Sequence, residues 1–399
     1  MSKARIIAYY LPQFHPIAEN DQWWGKGFTE WTNVGKAKPL FRGHDQPKVP
    51  ADLGYYDLRI PEVREAQAKM AKEYGIEGFC YWHYWFGNGK QLLERPFKEV
   101  LESGKPDFGF CLAWANIKWG GLAYGDLYER VLMEQLYPGK EDYINHFNEL
   151  LPAFLDDRYL RIDNKPIFVV YNPTGLPNSN EFIDLWNELA IKNGLEGIYF
   201  VAYQHFDFPY KEKGFQALTP PSPSHNFMRV KYNFFEKAVK KLTGCKWIQF
   251  KYSSFKLKNI YTHKQVVEAS NYDDVSIEIK FFPSCSPNWD HTPRSGNKGQ
   301  VIVETNPELF YQNLNNCYNR IKDYKNEEKI IFIKAWNEWA EGNYLEPDLK
   351  TGFDNLYQIK KFLKRLNHLQ TDCNCEIEIA KSLGFKRYFL RCYSRGRWF

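Results

Sequence analysis

The chain has 399 residues, of which 44% are hydrophobic and 25% charged, a globular composition that excludes an intrinsically disordered protein. Its 53 basic residues are interleaved with 48 acidic ones, so the net charge of +5 predicts no nucleic-acid partner. The outlier is an aromatic content of 18%, with 13 Trp and 27 Tyr. Such rings fill cores, and they also suit flat, hydroxylated ligands such as sugars.

Targeting signals and cysteines favour a cytoplasmic protein. Residues 1–5 lead directly into the apolar run 6–10, without the pattern of a signal peptide. No apolar stretch is long enough to span a bilayer, so we expect no transmembrane segment and a cytoplasmic location. The eight Cys are scattered, only Cys373 and Cys375 being close together, and we expect them to be reduced and structural.

Eight strand-like segments alternate with helix-like runs along the chain. The predicted strands are residues 5–10, 78–84, 107–112, 166–171, 198–203, 216–219, 279–283 and 330–336. The clearest amphipathic runs between them are 61–74, 143–154, 180–192 and 307–324. Alternation predicts a parallel sheet, and eight units predict an α/β fold closed into a (β/α)8 TIM-type barrel. An open doubly wound sheet is the alternative, but no GxGxxG turn follows a strand.

Two regions do not fit the alternation. Residues 11–54 have no clear period and are interpreted as one long first βα loop, and the basic, aromatic residues 225–275 are interpreted as an excursion in the later units. We therefore predict a barrel over residues 1–369 with long βα loops, followed by a short C-terminal extension, 370–399, that docks on it or binds a partner.

The strongest chemical signal follows the last predicted strand, in Trp336-Asn337-Glu338-Trp339-Ala340-Glu341-Gly342. In a barrel the active site lies at the carboxyl ends of the strands. Two carboxylates three residues apart on such a turn can meet one substrate, and cleavage of a glycosidic bond needs an acid and a second carboxylate. Flanking Trp336 and Trp339 offer the apolar wall that keeps an acid protonated. Glu338 and Glu341 are therefore the catalytic candidates, although two Glu in a loop can also be ordinary solvated charges.

Other predicted strand ends carry aromatic and polar residues typical of a sugar subsite. The candidates are Trp82, His83, Trp114, Asn116, Tyr203, Trp289 and Asp290. Each is weak alone, since a single His such as His83 is more often a hydrogen-bonded core residue. No His-x-x-x-His or close His and Asp set has the spacing of metal ligands, so no metal is expected.

Long motifs resemble a known family. These are Tyr9-Tyr10-Leu11-Pro12-Gln13-Phe14-His15-Pro16, then residues 21–34 with Gly27-Phe28-Thr29-Glu30-Trp31, and the Asn-Glu-Trp-Ala-Glu-Gly turn at 337–342. Together they resemble the WbsX family, glycoside-hydrolase-family-99-like proteins usually encoded with bacterial O-antigen and capsular polysaccharide genes. The resemblance covers about residues 4 to 365 and adds Tyr9, Tyr10, Trp31, Trp336 and Asn337 to the substrate-binding candidates.

The resemblance implies a (β/α)8 barrel and a retaining, endo-acting chemistry like that of the endo-α-mannosidases. Glu338 would deprotonate the sugar 2-hydroxyl, which attacks its own anomeric carbon, and Glu341 would protonate the leaving oxygen. It implies no metal or organic cofactor. The chain departs from the family at residues 114–121, which lack an acidic group and an arginine, and at 219–225, which lack an acidic residue.

The leading hypothesis is an enzyme that cleaves or transfers a glycan, acting on a bacterial surface polysaccharide or its lipid-linked precursor. A nucleotide-sugar-dependent glycosyltransferase is the second, although no Asp-x-Asp follows a predicted strand. A non-catalytic glycan-binding protein is the third. The pattern does not determine the sugar, the linkage or the oligomeric state.

Overall fold

A computed structural model describes residues 4–121, 130–204, 208–272 and 275–382, with only the backbone described beyond residue 368. Its centre is a sheet of parallel strands, numbered here in chain order. They are β1 (Arg5–Tyr10), β2 (Gly78–Trp85), β3 (Gly109–Trp114), β4 (Lys165–Val170), β5 (Tyr199–Tyr203), β6 (Ala217–Thr219), β7 in two parts (Lys280–Phe281 and Ser284–Cys285) and β8 (Ile330–Ile333).

The two parts of β7 close the sheet on itself. Lys280–Phe281 pairs with β6, Ser284–Cys285 pairs with β8, and β8 pairs with β1, all in parallel. The register continues through β2, β3, β4 and β5 to β6. The predicted (β/α)8 barrel is confirmed. Strands buried on both faces explain the nearly continuous apolar runs in the sequence.

The helices flank and cap the barrel. They are α1 (Ala18–Trp24), α2 (Glu30–Lys36), α3 (Pro61–Glu73), α4 (Arg95–Ser103), α5 (Lys140–Leu155), α6 (Ser179–Lys192), α7 (Ser224–Arg229), α8 (Phe234–Thr243), α9 (Trp247–Lys251), α10 (His263–Ala269), α11 (Thr292–Ser295), α12 (Pro307–Ile321) and α13 (Asp354–Ser382). The four amphipathic runs correspond to α3, α5, α6 and α12. Short 3-10 helices lie at Pro173–Gly175, Gly296–Lys298, Asn326–Glu328 and Trp339–Glu341.

Several predicted boundaries are wrong. β3 begins and ends two residues later than predicted, and β8 stops at Ile333 because the chain leaves the ladder to form the turn that carries Glu338. Residues 11–54 are not a plain loop, since they contain α1 and α2. Thr29 begins α2 by accepting a hydrogen bond from the backbone of Trp31, and such local capping leaves little trace in a hydrophobic period.

The excursion after β6 builds a second layer beside the barrel. Its strand Asn259–Thr262 pairs in parallel with Gln300–Val303, and a small apolar core lies beneath them. The remaining short strands are Gln91–Leu92, Trp119–Gly120, Val131–Met133, Arg161–Ile162, Asn337–Glu338 and Asn343–Tyr344. Helix α13 runs across the division proposed at residue 369, which stays a prediction. Among the described helices, none has the length and apolar character needed to cross a bilayer.

Candidate active site

The turn after β8 places two carboxylates side by side. Asn337–Glu338 pairs in antiparallel fashion with Asn343–Tyr344, and a 3-10 helix, Trp339–Glu341, connects the two short strands. Gly342 closes the turn with φ of +57°, and a Cβ at this position would lie 2.7 Å from the backbone nitrogen of Asp290. Only glycine fits such a position, so the Glu-Gly step of the motif is a geometric requirement.

Two cations hold these carboxylates. The Nζ of Lys334 contacts the carboxylate of Glu338 and lies 3.4 Å from Oε2 of Glu341. Arg294 contacts Oε1 of Glu341 and also bridges to Glu30, with 3.1 Å between Nη2 and Oε2. His291 approaches Glu341 from the same loop at 3.8 Å. The result is a buried cluster of three carboxyls, two cations and one imidazole at the carboxyl end of the barrel.

Burial and charge move the two carboxyl pKa values in opposite directions. Burial and the neighbouring charge of Glu341 raise the pKa of Glu338 to about 7, although Lys334 opposes the rise. Burial also acts on Glu341, but Lys334 and Arg294 outweigh it and hold the pKa of this carboxyl well below its usual range. Burial raises the pKa of Glu30 and lowers that of His291. With His291 neutral, one proton shared among the three carboxyls makes the net charge of the cluster zero. Of the pair, Glu338 holds a proton more readily than Glu341.

Aromatic side chains wall this cluster. Trp82 stacks on Tyr9 with ring centroids 4.8 Å apart, and Tyr203 meets both rings edge-on. Lys334 lies 5.5 Å above the ring of Trp82 and 5.8 Å above that of Trp289. The predicted residues Tyr9, Trp82, Tyr203 and Trp289 thus lie with Glu338 and Glu341.

Four other candidates lie on the opposite, helix-facing side of the barrel wall. His83 contacts His146 of α5 with 2.8 Å between their Nε2 atoms, and burial lowers the pKa of His83 to about 3. Trp114 packs on Phe182 of α6. Tyr10 donates to Gln67 at 2.7 Å, and the ring of Trp336 packs on Phe79. Tyr10 and His83 directly follow the inward-pointing Tyr9 and Trp82, and successive strand residues point to opposite faces of a sheet. The structure therefore does not bring these four side chains to the carboxylate cluster, and their role as substrate-binding residues stays a prediction.

Polar groups of the remaining candidates hold loops together. Asn116 bonds to the backbone of Asn172 through both ends of its amide, and Asn337 does the same with Leu11. The two carboxylate oxygens of Asp290 accept from three side chains and one backbone group, contributed by His44, Gln46 and Thr292. Trp31 donates to the carbonyl of Tyr56 and packs behind Trp339. Each polar group of these four side chains already has a hydrogen-bond partner within the protein, and their role in binding a substrate stays a prediction.

The site residues predicted from the sequence do not include Lys334, Arg294, Glu30 or Tyr171, whereas His291 belongs to the strand-end stretch that also carries Trp289 and Asp290. Lys334 is the one with a readable signal, since it is a charged residue inside the apolar run 330–336 that is predicted as a strand. Tyr171 stacks on Tyr203 with 5.0 Å between ring centroids, and burial raises its pKa. Arg294 and Glu30 come from distant segments and meet only in the folded chain.

A metal site was not expected. Within the residues that the structure describes, no group of three or more His, Cys, Asp or Glu is arranged to hold a metal ion. His205, which follows the predicted strand 198–203, and the acidic pair Asp273-Asp274 lie outside the described residues, whereas the acidic pair Asp156-Asp157 follows α5.

Comparison with known proteins finds solved structures with the same fold. A solved structure named a glycoside hydrolase-like protein matches with a TM-score of 0.58 and 14% identity over 91% of this chain and 94% of that one. The GH99 endo-alpha-mannosidase from Bacteroides thetaiotaomicron, in complex with bis-tris-propane, matches with a TM-score of 0.53 and 13% identity over 93% and 98%. At such identities the likeness shows the fold, a glycoside-hydrolase-like barrel.

Two sequence relatives are longer than this chain. An uncharacterized protein WxcX from Xanthomonas campestris pv. campestris strain B100 is 34% identical over 381 residues, which are 92% of this chain and 51% of the relative. A second strain has a WxcX of the same identity. The chain spans about half the length of these relatives. The family model described as Glycosyltransferase WbsX matches residues 6–359, and the chain therefore belongs to the WbsX family.

Proposed function

We propose that the protein breaks or transfers glycosidic bonds, with Glu338 and Glu341 as its proton-transfer pair. The observation that carries the proposal is that two buried carboxyls on one turn share Lys334 while their pKa values are moved apart. A pair of carboxyls with separated pKa values is what acid and base roles at one pH require.

The charges around the pair assign the two roles. An acid must carry a proton at rest, and Glu338, with a pKa of about 7, does so near neutral pH. Glu341 stays ionised beside Lys334 and Arg294. The resemblance implies the opposite arrangement, with the acid at Glu341. We take the arrangement that the surroundings favour: Glu338 protonates the leaving oxygen, and Glu341 supplies the carboxylate.

The spacing of the pair fits a retaining reaction. Both carboxylates contact the same Nζ, so the pair is held close together, as a retaining reaction requires. As the glycosidic bond breaks, its electrons leave with the oxygen, which takes the proton of Glu338. The oxygen of the sugar's own 2-hydroxyl forms the new bond to the anomeric carbon, and its proton passes to the carboxylate of Glu341. Lys334 offsets the negative charge of Glu341.

The walls support a hydroxylated ligand. The indole N–H groups of Trp82 and Trp289 are buried and have no hydrogen-bond partner among the described residues. An unpaired buried donor costs about 1–3 kcal/mol, a cost that a sugar hydroxyl reaching these rings would remove. The substrate class that the family resemblance favours is a bacterial surface polysaccharide or its lipid-linked precursor.

The decisive experiment incubates the protein with the surface polysaccharide of its own source. New reducing ends, or products extended by an added acceptor, support the proposal if they are absent with the double variant Glu338→Gln/Glu341→Gln. No turnover together with calorimetric binding of a nucleotide sugar supports a nucleotide-sugar-dependent transferase instead. Tight polysaccharide binding that is unchanged in Glu338→Gln, without any turnover, supports a binding protein.

A further inference from the structure

The excursion after β6 carries a concentration of positive charge. Residues 229–258 contain nine Lys or Arg and one acidic residue, Glu236. Since the net charge of the whole chain is only +5, the rest of the chain is slightly acidic. Seven of the lysines are exposed: Lys231, Lys237, Lys240, Lys241, Lys251, Lys256 and Lys258. Charge focused in one exposed segment attracts an anionic partner.

Helix α8 in this segment leaves most of its apolar side exposed. Asn233 caps the helix by accepting a hydrogen bond from the backbone of Glu236 at 2.8 Å, and no residue of the helix is buried. At about 100° per residue, Phe234, Phe235 and Leu242 fall on one side, and Lys237, Lys240 and Lys241 on the other. The first three are 89%, 56% and 84% exposed. An amphipathic helix with a bare apolar side is typical of segments that lie in a bilayer interface.

The apolar side of α8 continues onto α9 and the loop beyond. The ring of Phe235 meets Trp247 at 5.2 Å, and the ring of Phe250 meets Phe255 at 5.3 Å. Trp247 and Phe250 lie one turn apart on the same side of α9. All of these rings are more than a third exposed. They form one ridge rather than scattered apolar residues, and a ridge that includes Trp suits the headgroup region of a membrane.

This surface is tied to the mouth of the barrel. The strand Asn259–Thr262 pairs with Gln300–Val303, and the backbone of Ile302 donates to the carbonyl of Trp289 at 2.8 Å. Trp289 in turn lies beside Lys334. The excursion is therefore joined through one short sheet to the loop that walls the carboxylate cluster.

We propose that the basic aromatic surface, formed by α8, α9 and residues 252–258, docks the protein on the surface of an anionic lipid bilayer. The rings enter the interface, and the lysines contact the headgroups. Charge complementarity selects this occupant over a second copy of the chain, because two equally basic surfaces repel each other. The proposal does not depend on the catalytic role of the Glu pair, and it would bring the barrel mouth near membrane-attached glycans.

Vesicle flotation of the full chain tests the proposal. We expect association with vesicles of equal phosphatidylcholine and phosphatidylglycerol, none with phosphatidylcholine alone, and weakening as salt is raised. The variant Lys237→Gln/Lys240→Gln/Lys241→Gln should bind at least about tenfold more weakly, given that each lysine near an anionic surface contributes severalfold. Phe234→Ser/Phe235→Ser/Leu242→Ser should lose binding as well. The matched control, Lys105→Gln/Lys192→Gln/Lys322→Gln, changes three exposed lysines elsewhere and should bind like the wild type.

Three results would overturn the proposal. The first is that the wild type does not float with anionic vesicles, which needs no variant to interpret. The second is an equal loss in the control triple variant, which would show a non-specific effect of net charge. The third is a concentration-dependent dimer that the apolar triple variant abolishes, which would show that a second copy covers the surface.

Discussion

Two buried carboxyls near the last strand, Glu338 and Glu346, have the same raised pKa of about 7 and opposite surroundings. Glu338 faces the barrel mouth, where Lys334 touches it and the charge of Glu341 is close. Glu346 faces the helices and accepts hydrogen bonds only from neutral donors, at 2.6–2.9 Å, contributed by Trp339, Gln67 and Tyr56. A raised pKa alone therefore does not distinguish a carboxyl at the barrel mouth from one packed among neutral groups of the fold.

The contrast between the barrel mouth and the helix-facing side also holds for two tryptophans of the barrel wall. Trp82 points inward, with Tyr9 and Lys334 as neighbours, whereas Trp114 points outward into packed helix side chains. Both are buried Trp on barrel strands, and they differ in the face of the sheet from which they project. Burial on the mouth side serves chemistry under the proposed function, and burial on the helix side serves stability.

The largest expected difference is in activity. Glu338→Gln should lose about two to four orders of magnitude on the natural glycan, the usual scale of general acid catalysis. It should keep much of its bond-breaking rate on an aryl or fluoride glycoside, because a good leaving group needs no proton. Glu341→Gln should be inactive on both substrates. Steady-state rates of both variants on both substrates give the four values needed.

Glu346→Gln is the matched control for that experiment, since it makes the same substitution at a carboxyl of the same pKa on the helix side. We expect its activity to remain within about tenfold of wild type. Rescue of Glu341→Gln instead of Glu338→Gln would reverse the two roles. Full activity of both variants on the natural glycan would remove the pair from the mechanism.

The next largest expected difference is between Ala substitutions at Trp82 and at Trp114. Trp114→Ala should lower the free energy of unfolding by about 3–5 kcal/mol and leave kcat/KM of the folded fraction unchanged. Trp82→Ala should lower kcat/KM by about 1–3 kcal/mol if its ring holds a sugar. Denaturant melts and initial rates on the same samples separate the two. An unchanged kcat/KM in Trp82→Ala would show that the ring of Trp82, like that of Trp114, contributes to stability and not to substrate binding.

The sequence supports the fold better than the site. Apolar runs identify the strands because both faces of each are buried, although they do not fix where a strand ends. Alternation separates Trp82 from His83 but does not say which of them points inward. The sequence shows Asn337 and Asp290 as polar residues near strand ends but does not show that their side chains bond to neighbouring loops. Arg294 and Glu30 come from unrelated segments, so their meeting depends on tertiary structure.

The raised pKa of Glu346, on the helix side, predicts that the free energy of unfolding depends on pH. Its pKa rises from 4.5 to about 7 on folding, so the folded protein binds this proton more tightly than the unfolded chain does. The stabilisation is complete below pH 4.5 and is lost as pH rises through 7, by up to about 3 kcal/mol. Glu346→Gln should therefore flatten the fall in the free energy of unfolding between pH 5 and 8, measured by urea titration. An unchanged slope in this variant would assign the fall to Glu338 and other groups.

The smallest expected effect is that of an Ala substitution at Gly342, in the turn that carries Glu338 and Glu341. Because Ala also strains the backbone at a positive φ, the experiment needs a control glycine. Gly342 has φ of +57°, and an added Cβ would meet the backbone of Asp290, whereas Gly244 has φ of +73° with nothing within 4 Å of such a Cβ. Both Ala variants carry the left-handed cost of about 1–2 kcal/mol. Only Gly342→Ala adds the collision, for about 1–3 kcal/mol more, and relieving it must move Asp290 or the adjoining Glu341. Gly342→Ala should therefore be less stable than Gly244→Ala in thermal melts and lose activity that Gly244→Ala keeps. Equal losses of stability in the two variants would mean that the turn yields freely and does not fix the carboxylate.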